Sequence, residues 1–216
     1  MNVKAPDDAI SKSFVLLMTA NRSKIPLTSK DALLVVDVQN DFLPGGRLAV
    51  PRGDEVIEPL NACIESFRRS GLPVFATRDW HPEDHCSFKE QGGPWPAHCI
   101  AETWGAAFAE SLRLPPGVQI VSKATRSGRD AYSGFSGTDL HDRLRQSGVE
   151  TVFVGGLATE YCVLNTVRDA LALRFRVYVL EDAIRAVDRN PGDGEKAKNE
   201  MERLGARLIS RDRVAA

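Results

Sequence analysis

Six short apolar runs constrain this chain more than any other feature. They fall at residues 32–36, 73–77, 118–122, 151–154, 176–180 and 206–209. Each is long enough for a strand and too short for a helix, and none alternates apolar with polar, as a half-solvated strand would. Such runs read as strands buried on both faces. Helical spacing fills several of the gaps. Within residues 54–70, Val56, Ile57, Leu60, Ile64 and Phe67 recur near a helical period, and Gly71 and Pro73 end the pattern. Residues 138–146, 160–173 and 193–204 read as further helices, and Gly148 and Gly205 follow two of them as C-terminal stops. Alternating strands and helices predict a parallel sheet with helices on both faces, an α/β fold.

The chain has 216 residues, enough for one large domain. Hydrophobic residues make up 43% and charged residues 26%, ordinary for a globular protein. The formal net charge is −1 with no block of like charge, which offers nothing to nucleic acid or to an anionic membrane. No apolar run approaches a membrane span. Residues 1–28 read as an N-terminal extension or arm: the apolar run at 14–18 is short for a signal-peptide core and follows Asp7 and Asp8. Residues 29–216 then form a single domain. The four cysteines, Cys63, Cys86, Cys99 and Cys162, show no C-x-x-C spacing. Cys63 belongs to a helical pattern as core packing, and a chain of this length needs no disulfide staples. A reducing, cytoplasmic setting is expected.

In open parallel sheets, ligands bind outside the carboxyl ends of the strands. The residues to inspect are therefore those that follow each run: Asp37, the segment Arg78-Asp79-Trp80-His81, Lys123, and the turn from Gly155 to Cys162. In that turn a β-branched run ends in two glycines, and a thiol stands where a helix should begin. A helix N-terminus lowers a cysteine pKa and leaves backbone N–H groups free for an oxyanion. A carboxylate such as Asp37 can take the thiol proton, and a lysine such as Lys123 can fix both by charge. The same residues also have structural readings, because an Asp–Lys pair can simply brace a fold and a lone cysteine can pack as a small core residue. Asp41 reads as a turn or capping group.

Three of the four histidines lie between residues 81 and 98. Asp79 and His81 form a D-x-H pair whose side chains share one face of an extended segment, and His85 and His98 follow. An aspartate with two or three histidines suits zinc, iron or manganese; hydrogen-bonded loop histidines are the alternative. The surrounding stretch, residues 82–116, is a long Gly-, Pro-, His- and Trp-rich loop of the kind that carries function. Phe42, Trp95 and Tyr132 stand outside apolar periodic runs, so they either wall a flat aromatic ligand or anchor loops to the core.

In order along the chain, the motifs are Val36-Asp37-Val38-Gln39-Asn40-Asp41-Phe42, Thr77-Arg78-Asp79-Trp80-His81-Pro82, Gly92-Gly93-Pro94-Trp95-Pro96-Ala97-His98-Cys99 with Lys123, Asp130-Ala131-Tyr132-Ser133-Gly134-Phe135, and Gly156-Leu157-Ala158-Thr159-Glu160-Tyr161-Cys162-Val163. This series resembles the nicotinamidases, within the isochorismatase-like cysteine hydrolases, over residues 31 to about 210. The resemblance implies a Rossmann-like three-layer α/β/α fold with a six-stranded parallel sheet. It implies a catalytic triad of Asp37, Lys123 and Cys162, and an oxyanion hole from the N–H groups of Ala158 and Cys162 beside a cis peptide. It implies Asp79, His81 and His98 as ligands of one divalent metal, zinc first with iron or manganese as alternatives. His85 matches a position that joins the metal in some relatives and not in others. The expected substrate is nicotinamide or a similar aromatic carboxamide, cleaved through a thioester in the salvage of NAD. The expected form is a metal enzyme with no organic cofactor, and self-association into a homo-oligomer is open. The rival readings are a superfamily amidohydrolase acting on a ureido or carbamoyl substrate, and a non-catalytic or redox-sensing member of the fold.

Overall fold

The computed structural model describes residues 23–215. Six strands form one sheet: β1 (Asp31–Val36), β2 (Val74–Asp79), β3 (Gln119–Lys123), β4 (Thr151–Leu157), β5 (Arg176–Arg185) and β6 (Arg207–Ile209). Their order is β3-β2-β1-β4-β5-β6, and every pairing is parallel. Among the described residues the four α-helices are α1 (Ile57–Arg69), α2 (Leu140–Gln146), α3 (Leu164–Ala172) and α4 (Asp193–Arg203).

Central strand β1 is buried at all six positions, as an apolar run without alternation requires. Its odd and even side chains enter different cores. Leu33 and Val35 pack with Ile57, Leu60, Ile64 and Phe67 of α1. Ala32, Leu34 and Val36 pack with Leu140 and Leu144 of α2, Val167 of α3 and Met201 of α4. Helices therefore cover both faces, which gives the expected three-layer α/β/α fold. Cys63 sits in the first core as anticipated, and burial pushes its thiol up to about 12.

The strand order runs outward from β1 on one side and from β4 on the other. The chain thus switches direction between these two strands, and their carboxyl ends open a crevice. Asp37 follows β1 there, and the residues leading to Cys162 follow β4.

Two local features differ from the sequence expectation. The glycines at 155 and 156 do not end β4, which continues through both to Leu157, with Gly156 paired to Val36. A side chain at Gly156 has no room, since a Cβ there would lie 1.9 Å from the Val36 carbonyl oxygen, and its φ is +133°. The helix expected from residue 160 instead opens as a π-turn, Thr159–Val163, and becomes α-helical at Leu164. The Ala158 carbonyl accepts from both the Tyr161 N–H (3.1 Å) and the Val163 N–H (3.2 Å), which widens the first turn. The Leu157–Ala158 peptide is cis, as the resemblance implied.

Of the N-terminal extension, residues 1–22 and their apolar run lie outside the described residues. Residues 23–28 run along the domain. Ile25 bridges Val214, its N–H donating to Arg213 O at 2.7 Å and its carbonyl accepting from Ala215 N at 3.0 Å. Among the described residues, no helix is long and apolar enough to cross a membrane.

The close approach at the crevice yields a test. Gly156→Ala should lower stability by more than ~3 kcal/mol, the range of buried steric and backbone strain. Urea unfolding followed by circular dichroism checks it, and a midpoint equal to wild type would contradict the packing described.

Candidate active site

Lys123 is the centre of the site. It is the last residue of β3 and pairs in register with Asp79, the last residue of β2. Its side chain is fully buried. The ammonium donates to Asp79 Oδ1 (2.5 Å), to the Ala131 carbonyl (3.2 Å) and to Cys162 Sγ (3.4 Å). Asp37 Oδ2 lies 3.0 Å from the same nitrogen as a buried ion pair, and it has no hydrogen-bond partner of good geometry. Asp37 Oδ1 accepts from the Thr77 hydroxyl at 2.7 Å. Asp37, Asp79 and Cys162 are neighbours, each offering an atom within 4.8 Å of the others'. Asp37 has φ +48°, a left-handed conformation that turns the chain sharply off the end of β1.

Burial and charge set the protonation of this cluster. Burial opposes the Lys123 charge, but Asp37, Asp79 and Cys162 outweigh it and hold the ammonium protonated well above its usual range. Burial pushes the Asp79 carboxyl up, while Lys123 and the neighbouring imidazoles pull it to well below the carboxylate range. Asp37 is raised, chiefly by burial and also by the charge of Asp79, with Lys123 opposing. Burial raises the Cys162 thiol well above 9.0, and the carboxylates add to this against Lys123. The resting thiol is therefore neutral, and it ionises only by handing its proton to a base in contact. Asp37 Oδ2, buried and without a hydrogen-bond donor, is the lone pair positioned to take it.

Asp79 also belongs to a second group. It offers one atom within 4.8 Å of atoms from His81 and His98, and all three residues are buried. His81 Nδ1 lies 3.3 Å from the Ala124 carbonyl, and His98 Nδ1 lies 2.8 Å from the Pro96 carbonyl. A carbonyl only accepts, so each Nδ1 carries the proton and each Nε2 keeps its lone pair. His81 Nε2 is buried with no hydrogen-bond partner, 3.7 Å from Asp79 Oδ2. An orphaned imidazole lone pair beside a carboxylate and a second imidazole could hold a divalent metal ion. His85 stands apart. Its ring lies tilted against His81 with centroids 4.1 Å apart, but its Nδ1 faces Ser87 (2.7 Å) and its Nε2 the Arg129 carbonyl (3.2 Å), so both nitrogens are engaged.

A cleft joins the two groups. Cys162, Asp79, His81 and His98 open onto it, together with Phe42, Trp95, Tyr132 and Ala158. Trp95 Nε1 donates to the Tyr132 hydroxyl at 2.9 Å, which locks two aromatic walls together. Four further residues of the wall escaped the sequence reading. Tyr161 packs edge-on to Trp95 at 5.1 Å, and Leu48, Val50 and Val187 complete the apolar lining. Tyr161 had a usable signal, since it precedes the thiol in the same turn. The other three come from loops whose approach no local pattern encodes.

The isochorismatase domain family matches residues 31–213. The chain belongs to this family. Among curated isochorismatase-family relatives, the nicotinamidase of Escherichia coli is 38% identical over 200 residues, covering 83% of this chain and 94% of that protein. The solved pyrazinamidase of Pyrococcus horikoshii in complex with zinc is 49% identical with a TM-score of 0.81, covering 84% of this chain and 99% of its own. The PnC1 protein of L. infantum in complex with nicotinate is 33% identical with a TM-score of 0.82, covering 89% and 99%.

A buried ammonium between two carboxylates predicts a large effect when it is lost. Lys123→Met should reduce stability by ~3–5 kcal/mol, because two buried acids lose their shared counter-charge. Chemical denaturation against wild type measures this, and an unchanged free energy of unfolding would refute the central place given to Lys123.

Proposed function

We propose that this chain hydrolyses nicotinamide to nicotinate and ammonia through a thioester on Cys162. One observation carries the reading: a single apolar, aromatic-walled cleft is shared by a thiol with an adjacent free carboxylate oxygen and by a three-residue metal-binding group. The nicotinamidase and pyrazinamidase relatives support the same substrate class. Nicotinate in the L. infantum relative supports a pyridine ring as the occupant.

In this mechanism the pyridine ring lies among Phe42, Trp95, Tyr132 and Tyr161, with its carboxamide at Cys162. Asp79, His81 and His98 would hold one divalent ion, zinc first with iron or manganese as alternatives. Such an ion would supply a Lewis-acidic anchor for the ring nitrogen, directly or through water. Asp37 Oδ2 removes the proton from Cys162 Sγ, and the sulfur attacks the carboxamide carbon. Backbone N–H groups of Ala158 and Cys162 carry the oxyanion, each such donor worth roughly 3 kcal/mol of barrier. Asp37 returns its proton to the nitrogen as the C–N bond breaks, releasing ammonia and leaving the thioester. Asp37 then takes a proton from water, the resulting hydroxide attacks the acyl carbon, and the departing thiolate recovers that proton. Lys123 holds Asp37 and the thiolate at fixed distance throughout and balances their charge.

The aromatic walls and the donor group favour this substrate over a ureido or carbamoyl compound, which needs neither a flat apolar slot nor an anchor for a ring nitrogen. The four cysteines are unpaired, which supports the reducing, cytoplasmic location we assign to the protein.

Cys162→Ala should abolish ammonia release from nicotinamide while the protein stays folded and keeps its bound metal. An enzyme-coupled ammonia assay with elemental analysis of both proteins tests this, and ammonia still released by the variant would overturn the thioester route.

A further inference from the structure

Gln39 lies two residues beyond Asp37 and is completely buried. Its side-chain amide makes three hydrogen bonds. Nε2 donates to the Asp79 carbonyl (2.7 Å) and to the Ala106 carbonyl (2.9 Å), and Oε1 accepts from the Asp79 N–H (2.8 Å). Both amide donors are used, and Asp79 is bracketed at its N–H and its carbonyl as a neighbouring strand would bracket it. The backbone pairing of β1 with β2 ends at Val36↔Thr77. Two residues further on, the amide of Gln39 replaces the missing strand.

The residue held in this way has two duties. Asp79 Oδ1 serves Lys123, and Asp79 Oδ2 faces the orphaned Nε2 of His81. A small rotation of the β2 end would take the carboxylate from one partner or the other. The third bond of Gln39 reaches the segment that frames His98. Gly105, beside Ala106, packs so tightly on Asp41 that a Cβ there would lie 2.1 Å from its carboxylate, and Asp41 Oδ2 in turn accepts from the Cys99 N–H at 2.7 Å. From the sequence Asp41 was a turn or capping group; here it fixes the residue that follows His98.

We infer that Gln39 is a positioning residue that holds the Asp79 carboxylate astride Lys123 and the metal-binding group and keeps the His98 segment in range. The inference rests on the reading of Asp79, His81 and His98 as metal ligands. Partners of this kind around a metal site typically change affinity by 10- to 100-fold when lost. Gln39→Met keeps the length of the side chain and removes all three hydrogen bonds. Lys123 retains its contacts with Asp37 and Cys162 in that variant, so the nucleophile stays assembled.

The test uses the full chain as wild type and Gln39→Met. Zinc affinity is measured by competition with a chromophoric chelator, and kcat and KM for nicotinamide are measured at saturating zinc, with circular dichroism to establish folding. The expected result is zinc affinity weaker by tenfold or more, a raised KM and a kcat largely kept. A folded variant with wild-type zinc affinity, or one that loses kcat with zinc affinity unchanged, overturns the inference. Where Gln39→Met does not fold, Gln39→Asn decides by the same readouts, since it keeps the amide but is one methylene too short to bracket Asp79. Wild-type protein that takes up none of zinc, iron and manganese overturns the functional reading, and the inference with it. Zinc uptake by wild type and an unaffected variant overturns the inference alone.

Discussion

The ammonium of Lys123, buried between Asp37 and Asp79, is the interaction on which the site depends. An unpaired charge in such a place costs several kcal/mol of desolvation, and two unpaired carboxylates would cost more. Together they are tolerable only at close range with their hydrogen bonds made. The fold meets that condition through register: β3 ends level with β2, so Lys123 and Asp79 emerge side by side, and β1 ends next to them, so Asp37 arrives from the other flank. The sulfur of Cys162 then enters the remaining side of the ammonium from β4, across the point where the strand order reverses.

Asp79 joins two kinds of chemistry. One carboxylate oxygen belongs to the charge cluster that sets the state of the thiol, and the other belongs to the group of His81 and His98. In the proposed mechanism, both the ring anchor and the attack on the carboxamide would therefore depend on one strand end. The aromatic cleft spans the same interval, so a flat substrate held there would lie between the two groups.

Much of this was legible in the sequence, because the dominant signals were strong and local. Six apolar runs pointed to strands and the helices between them to parallel pairing; β1 and β4 are buried throughout, while the outer strands β3 and β6 keep exposed positions because only one neighbour covers them. Once the sheet was parallel, the polar residues after each run had to gather at one edge, which is why Asp37, Asp79, Lys123 and the 155–162 turn were singled out together. Distances were not legible, since they depend on register between strands far apart in the chain. The passage of β4 through Gly155 and Gly156 was hidden, because glycine usually marks an end and here marks close contact with Val36. The π-turn at Thr159–Val163 came from one carbonyl serving two donors, which no residue pattern announces. His85 stands apart in the sequence as a position that only some relatives use, and its two nitrogens face Ser87 and the Arg129 carbonyl. Gln39 read as part of a motif and gave no sign that its amide would stand in for a strand.

The claim at the centre of this account is that amide cleavage passes through an acyl group on Cys162. Partitioning by a second nucleophile tests it most directly. With hydroxylamine present at a fixed concentration, nicotinamide and methyl nicotinate are supplied in turn as acyl donors, and the ratio of nicotinohydroxamate to nicotinate is measured. A common thioester predicts the same ratio from both donors. A ratio that depends on the donor, or nicotinate formed with no hydroxamate at all, would show that water attacks the amide directly and would contradict the account.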